Sequence, residues 1–254
     1  MRRSVPTVLL IPALLGLAFL VLPLAALLIR APWRELPERL TAPGVLTALR
    51  LSMTTATAAT VFCVLLGVPL AVLLARVEFP GRRLVRALVT LPLVLPPVVG
   101  GVALLLVFGR RGLIGSWAGF SLAFTTTGVV LAEAFVAMPF LVVTVEGALH
   151  AADRRYEEAA ASLGASRWTV FRRVTLPLVA PGLAAGAVLC WARALGEFGA
   201  TITFAGNFPG RTQTMPIAVY LALESDPDAA IVLSLVLLAV SVAILASLRD
   251  RWLG

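Results

Sequence analysis

Six separate stretches of this chain are apolar for long enough to cross a lipid bilayer, and no other feature limits its possible folds so severely. A hydrocarbon core about 30 Å thick requires about 20 consecutive apolar residues in a helix. Runs of that order lie at 5–29, 48–75, 86–108, 127–149, 179–204 and 229–248. With 60% hydrophobic and only 13% charged residues and a mean hydropathy of +0.99, the composition lies far outside the soluble range. The first run follows Arg2 and Arg3, as in a secretory signal. It continues for about 25 residues against the 7 to 15 of a signal core, and is kept as a helix. The sequence therefore predicts an all-α, polytopic membrane protein with six transmembrane helices.

The arginines give the orientation, because loops rich in positive charge resist translocation. With the N-terminus inside, the inner segments hold Arg2, Arg3, Arg76, Arg82, Arg83, Arg86, Arg154, Arg155, Arg167, Arg172, Arg173, Arg249 and Arg251. The outer segments hold fewer, namely Arg30, Arg34, Arg39, Arg50, Arg110, Arg111 and Arg211. Both termini are expected on the cytoplasmic side of the inner membrane. The net charge of +8 is then accounted for by topology and anionic lipid headgroups, and no nucleic-acid partner is implied.

Residues 158–177 read E-A-A-A-S-L-G-A-S-R-W-T-V-F-R-R-V-T-L-P, an Arg-rich stretch between apolar helices. Ala159, Ala160 and Ala161 favour helix and carry little bulk. Gly164 suits a left-handed helix end and Ser166 suits the cap of a second turn, so two short helices with a bend are expected beside the membrane. Trp168 and Phe171 are three apart and share a helix face, and Leu176-Pro177 is expected to stop the helix before the fifth span. Glu157 and Glu158 can pair locally with Arg154 and Arg155 or face a partner. On physical grounds alone the segment is also consistent with a solvated loop carrying an interfacial amphipathic helix.

The spacing E-A-A, three residues, Gly, nine residues, an aliphatic (Val174), one residue, Leu-Pro resembles the cytoplasmic coupling motif of bacterial ATP-binding-cassette importer permeases. The resemblance implies that Glu157, Glu158, Ala159, Ala160, Gly164, Ala165, Ser166, Trp168 and Phe171 fit a groove on an ATPase subunit. Lysine is absent from the whole chain, so it cannot form the G-x-x-x-x-G-K-[ST] phosphate loop. An ATPase, with its ATP and Mg, must be a separate polypeptide, and no cofactor is expected in this one.

Residues 192–222, A-R-A-L-G-E-F-G-A-T-I-T-F-A-G-N-F-P-G-R-T-Q-T-M-P-I-A-V-Y-L-A, form a second block. A charge inside a span costs about 2.5 to 3.5 kcal/mol at mid-helix on insertion scales. Arg193 and Glu197, four apart, can neutralise each other along one helix, or line a pathway or gate together with Thr201 and Thr203. Gly182, Gly186, Gly196 and Gly199 suit close helix packing or bending. Asn207, Arg211, Thr212 and Gln213 lie in turn chemistry rich in donors, able to receive an oxyanion or dock an external protein, or simply to cap the span. The run G-E-F-G-A-T-I-T-F-A-G-N-x-P-G-x-T-Q-T is similar to the permease subunit of molybdate importers. Sulfate permeases share only its shorter G-E-F-G and A-G-N elements.

Pro92, Pro96 and Pro97 are expected to break the hydrogen-bond ladder of the third span, and Pro139 that of the fourth, as kinks. Ser52, Thr54, Thr55, Thr57 and Thr60 are expected to bond their own backbone or a neighbouring helix, while Glu133 either lines a pathway or faces a polar neighbour near the outer surface. Cys63 and Cys190 read as small buried hydrophobes. A single histidine, His150, excludes a two-histidine metal motif such as H-E-x-x-H, and no nucleophile and base constellation stands out for an intramembrane enzyme.

The combined expectation is one transmembrane permease domain over 1–254, with a first helix at 5–29, a core at 45–249 and a coupling segment at 150–177. The resemblance implies the type I importer fold and two permease copies with two ATPase subunits. It also implies a periplasmic or lipoprotein oxyanion-binding protein, and alternating-access import of molybdate or tungstate. Sulfate or thiosulfate import is the alternative within the class.

Overall fold

A computed structural model of the chain describes residues 7–252, without the side chains of residues 7, 118, 245 and 247–252. The first two residues of the expected first span, Arg2, Arg3, and the side chains of Arg249 and Arg251 lie outside the described residues. Every regular element among the described residues is helical. In order they are α1 (Thr7–Ile29), α2 (Leu36–Leu40), α3 (Pro43–Arg76), α4 (Arg82–Val94), α5 (Pro97–Phe108), α6 (Leu113–Ala118) and α7 (Thr126–Ala151). There follow α8 (Arg155–Ser162), α9 (Arg167–Val170), a π-helical turn (Phe171–Thr175), α10 (Leu176–Leu195), α11 (Gly199–Ala205), α12 (Met215–Ser225) and α13 (Pro227–Trp252). Six described segments are long and apolar enough to cross a membrane: Val8–Ile29, Pro43–Arg76, Pro97–Trp117, Thr126–Ala151, Arg167–Leu195 and Pro227–Ile244.

The chain divides into two compact units, one from Thr47 to Ile217 and one formed by the residues up to Leu46 with those from Ala218 on. In the second unit α13 packs with α1 and α2. Asp226 caps α13 by accepting the Ala229 N–H at 3.1 Å. It also receives Arg39 Nη1 at 2.7 Å, while Arg39 Nε donates to Glu35 at 2.9 Å. The Arg39 hydrogen bond holds the Asp226 carboxyl below its ordinary range, and Asp226 in turn raises Arg39. The side chains of Val8, Leu14 and Phe19 on α1 are exposed, as a helix against lipid requires.

In the Thr47–Ile217 unit α7 is the central pillar. Val129, Ala132, Ala137, Leu141, Val142, Val145 and Leu149 are buried along it, and it packs most extensively on α10 and α11. Lipid tails are as apolar as these side chains, so van der Waals fit has to hold such helices together. At Gly182 of α10 an added Cβ would collide with the Cβ of Ala148, so only glycine lets α10 approach α7 this closely.

The prolines act unequally. Pro96 takes ψ 130° and separates α4 from α5, as expected. Pro92 and Pro139 interrupt the ladder without ending their helices: Pro92 lies inside α4 and Pro139 is buried inside α7, where packing on neighbouring helices compensates for the missing N–H. Leu176-Pro177 does not stop a helix either. The pair begins α10 directly after the π-helical turn, where the Leu176 N–H reaches back five residues to the Phe171 carbonyl, and this wider turn accommodates the proline and its missing N–H within a continuous helix. The apolar helix therefore runs unbroken over Arg167–Leu195, and the interruption expected at 176–177 falls at 196–198.

Candidate functional site

The segment after α7 forms a compact knob. Asp153 Oδ1 accepts the Arg155 N–H at 3.0 Å, and Glu157 and Glu158 lie in the first turn of α8, where they complement the helix dipole. The Gly164 N–H donates to the Ala161 carbonyl at 2.9 Å and the Ala165 N–H to Ala160 at 3.1 Å, closing α8 as a Schellman end. Gly164 has φ +84°, the left-handed conformation expected of it. Ser166 Oγ accepts the Thr169 N–H at 3.2 Å and starts α9. Trp168 and Phe171 stack with ring centroids 5.7 Å apart.

One face of the knob is fastened and another is bare. Glu157 Oε1 receives Arg76 Nη2 from the end of α3 and Thr175 Oγ1 from the π-helical turn, both at 2.9 Å. Arg154 Nη2 donates to the Ala75 carbonyl at 3.4 Å. Glu157 therefore pairs across helices with Arg76, where a local pair with Arg154 or Arg155 was one expectation. An acid 81 positions from its partner leaves no periodic signal. Ala159, Ala161 and Ser166 are exposed, Ala160 and Ala165 partly so. Leu163 is 90% exposed and Trp168 68%, an apolar surface suited to a protein partner.

The second cluster is internal. Arg193 Nη2 and Glu197 Oε2 are 2.6 Å apart, so the two charges neutralise each other along the chain as their spacing allows. Glu197 Oε1 also accepts the Ala200 N–H at 2.8 Å. Its carboxylate thus caps α11 and fixes the break that separates α11 from α10. Thr203 Oγ1 donates to the Gly199 carbonyl at 2.8 Å, whereas Thr201 is buried with no hydrogen-bond partner for its hydroxyl among the described residues.

Glu133 is buried and faces a polar neighbour, one of the two expectations for it. Its Oε1 accepts from Thr55 Oγ1 at 2.9 Å, and its Oε2 has no partner among the described residues. Nearby hydroxyls follow the sequence expectation. Thr54, Thr57 and Thr60 donate to carbonyls on their own helix, Thr57 accepts from Trp191 Nε1 at 3.1 Å, and Ser52 Oγ accepts the Met215 N–H at 2.7 Å. Cys63 and Cys190 are both buried. The geometry brings Ser52, Thr55, Glu133, Glu197 and Thr201 from α3, α7 and α10–α11 into the interior of one unit.

In the loop beyond, Asn207 and Arg211 are exposed and Gln213 is half-buried. Thr212 is buried, with Oγ1 accepting the Phe208 N–H at 2.9 Å, so its side chain closes the loop on itself. Thr126 Oγ1 donates to the Arg211 carbonyl at 2.9 Å and anchors the loop to the start of α7. The sequence reading missed the Arg86–Glu146 ion pair between α4 and α7. Its available signal was a carboxylate inside an apolar span, which requires a partner.

Comparison with known proteins places this arrangement. Residues 67–254 match the family described as binding-protein-dependent transport system inner membrane component. The chain is 52% identical over 244 residues to the molybdenum transport system permease protein of Mycobacterium tuberculosis, covering 95% of this chain and 92% of that one. It is 40% identical over 237 residues to the sulfate transport system permease protein of Escherichia coli, covering 91% and 86%. Among solved structures it is similar to a chain of a bacterial alginate ABC transporter in complex with an alginate pentasaccharide-bound periplasmic protein. That likeness has a TM-score of 0.75 at 19% identity over 96% of this chain and 92% of the other, and concerns the fold.

Proposed function

The chain belongs to the binding-protein-dependent transport system inner membrane components, and we propose that within this family it is the permease that passes molybdate, or its close analogue tungstate, into the cytoplasm. It is a multi-pass membrane transport component and not an enzyme. The observation that carries the reading is the knob, fastened to α3 through Glu157 and continuous with α10, with an exposed face built around Leu163 and Trp168. Two copies surround one pathway, two ATPase subunits supply the ATP and Mg chemistry, and a binding protein delivers the oxyanion from the far side. Both termini are cytoplasmic, and the chain functions as a single permease domain.

Closure of the ATPase pair moves the knobs, through Ala159, Gly164, Ala165, Ser166, Trp168 and Phe171. The movement passes along α10 to the break at Glu197. The pathway is lined near Arg193, Glu197, Thr201 and Thr203, and its contacts with the anion are weak and transient, because a tight site would slow release. Asn207 and Arg211 are the exposed donors available to the binding protein or its cargo, with Gln213 partly available. Greater identity to a molybdenum permease than to a sulfate permease favours the larger oxyanion.

The test is ATP-dependent uptake of labelled molybdate into proteoliposomes containing this chain, its ATPase and its binding protein. Inhibition by tungstate and not by sulfate is expected. Uptake of sulfate alone would keep the architecture and replace the cargo, and flux without ATP would overturn the coupling.

A further inference from the structure

At the end of α3, the start of α4 and the end of α7, all within the Thr47–Ile217 unit, lies an open groove of about 780 Å³. Arg82, Arg83, Arg86 and His150 line it, with Glu78 and Glu146 as the carboxylates. Glu146 is already occupied, since both Nε and Nη2 of Arg86 donate to its Oε1. Neither Arg82 nor Arg83 forms an ion pair among the described residues, and Glu78 is exposed. The lining is therefore positive overall, although its three arginines face two acids. Arg82 Nε is in addition buried without a hydrogen-bond partner among the described residues, a donor withdrawn from water with no acceptor in return. Helix α4 opens at Gly81 with no side-chain cap, so its N-terminal amides add partial positive charge at the same place.

These features share one chemical complement. Guanidinium groups and the start of a helix both donate to the several oxygens of a tetrahedral oxyanion. A carboxylate ligand would use fewer of these donors, and an apolar one none. We propose that this groove binds a tetrahedral oxyanion group, either the phosphate of an anionic lipid headgroup or a free inorganic oxyanion. The site is separate from the pathway residues around Glu197. On the proposed topology it faces the cytoplasm, and His150 places it at the foot of the knob, one residue before α7 ends. An occupant would bridge α4 to the helix that carries the coupling segment.

Binding is measured directly, so the result does not depend on transport. The full chain is purified in detergent, stripped of lipid, and titrated calorimetrically with inorganic phosphate and with molybdate. The same protein, extracted gently, is examined by native mass spectrometry for bound phosphatidylglycerol or cardiolipin. The double variant R82Q/R83Q is compared with R110Q/R111Q, which removes the same charge from exposed positions elsewhere, and the single variant R83Q is included because Arg83 is exposed.

Anion affinity weakened about tenfold or more in R82Q/R83Q, less in R83Q and unchanged in R110Q/R111Q, would identify a free-oxyanion site. Loss of retained lipid phosphate in the same variants, without anion binding by the stripped protein, would identify a headgroup site. Equal anion and lipid binding in wild type and R82Q/R83Q, or no binding by either, overturns the proposal. Melting curves of R82Q/R83Q matching those of R110Q/R111Q establish that any loss is local.

Discussion

The knob at 154–177 and the interior cluster around Glu133 and Glu197 both hold acids and arginines beside apolar helices, and they treat them in opposite ways. In the knob Glu157 collects one donor from α3, Arg76, and one from the knob's own π-helical turn, Thr175, while Leu163 and Trp168 are left bare. In the interior, Glu197 is occupied on both oxygens by Arg193 and by its own next turn, and Glu133 is held by Thr55. On the proposed function, an element that meets another protein keeps one face fixed and one unused. In the interior, where an unpaired ion is costly, Glu197 is met from its own chain segment, whereas Glu133 draws on another helix and keeps Oε2 without a partner among the described residues.

The sharpest way to break this contrast is Gly164→Asp. A Cβ at Gly164 meets nothing within 4 Å, so the intrinsic penalty is the left-handed backbone alone, about 1–2 kcal/mol. The added bulk and charge fall on the docking face. Uptake should fall to background while ATP hydrolysis persists and the chain remains in the membrane at normal amounts. Normal uptake would remove the knob from the coupling path.

Glu197→Gln tests the interior. The amide still accepts the Ala200 N–H, but Arg193 loses its counter-charge. Breaking a buried pair costs about 3–5 kcal/mol, and because Arg193 keeps 27% of its side chain exposed the expectation is nearer 2–3 kcal/mol, measured by thermal unfolding in detergent. Glu157→Gln should cost less in stability, about 1–2 kcal/mol. It should lower the uptake obtained per ATP, and a double-mutant cycle with Arg76→Gln should show that the two effects are not additive. If both variants changed only stability, the knob and the interior would not differ in role.

Thr55→Val removes one bond between helices, for which about 0.6–1.7 kcal/mol is usual inside a membrane. The same unfolding assay should register it near the lower figure. The smallest effect belongs to the half-exposed Arg39–Asp226 pair, which serves as a reference for charge near water. Because Arg39 lowers the Asp226 carboxyl, the pair contributes at and above the ordinary carboxylate range and is lost as pH falls through the lowered value. The melting difference between wild type and D226N should therefore be present at neutral pH and disappear on strong acidification.

What could be read from the sequence depended on the distance between interacting residues. The turn at Gly164, the cap at Ser166, the Trp168–Phe171 stack and the Arg193–Glu197 pair each involve neighbours within four positions, and local spacing specifies them. The partners of Glu157, Glu133 and Ser52 lie on other helices, which no periodicity encodes. Proline was an ambiguous signal for a related reason. Pro96 breaks a helix and Pro139 does not, and the outcome depends on the surrounding packing more than on the residue.

The helical run Arg167–Leu195 has a mechanical consequence. Its 29 residues extend about 43 Å at 1.5 Å per residue, and it runs through the π-helical turn without a break. A rod of that length, held by Thr175 and Glu157 near one end, acts as a lever arm. From the anchor at Thr175 the arm to Leu195 is about 30 Å, so each degree of tilt displaces the far end by about 0.5 Å, and a rotation of about six degrees moves Gly196 and Glu197 by the width of an oxygen atom.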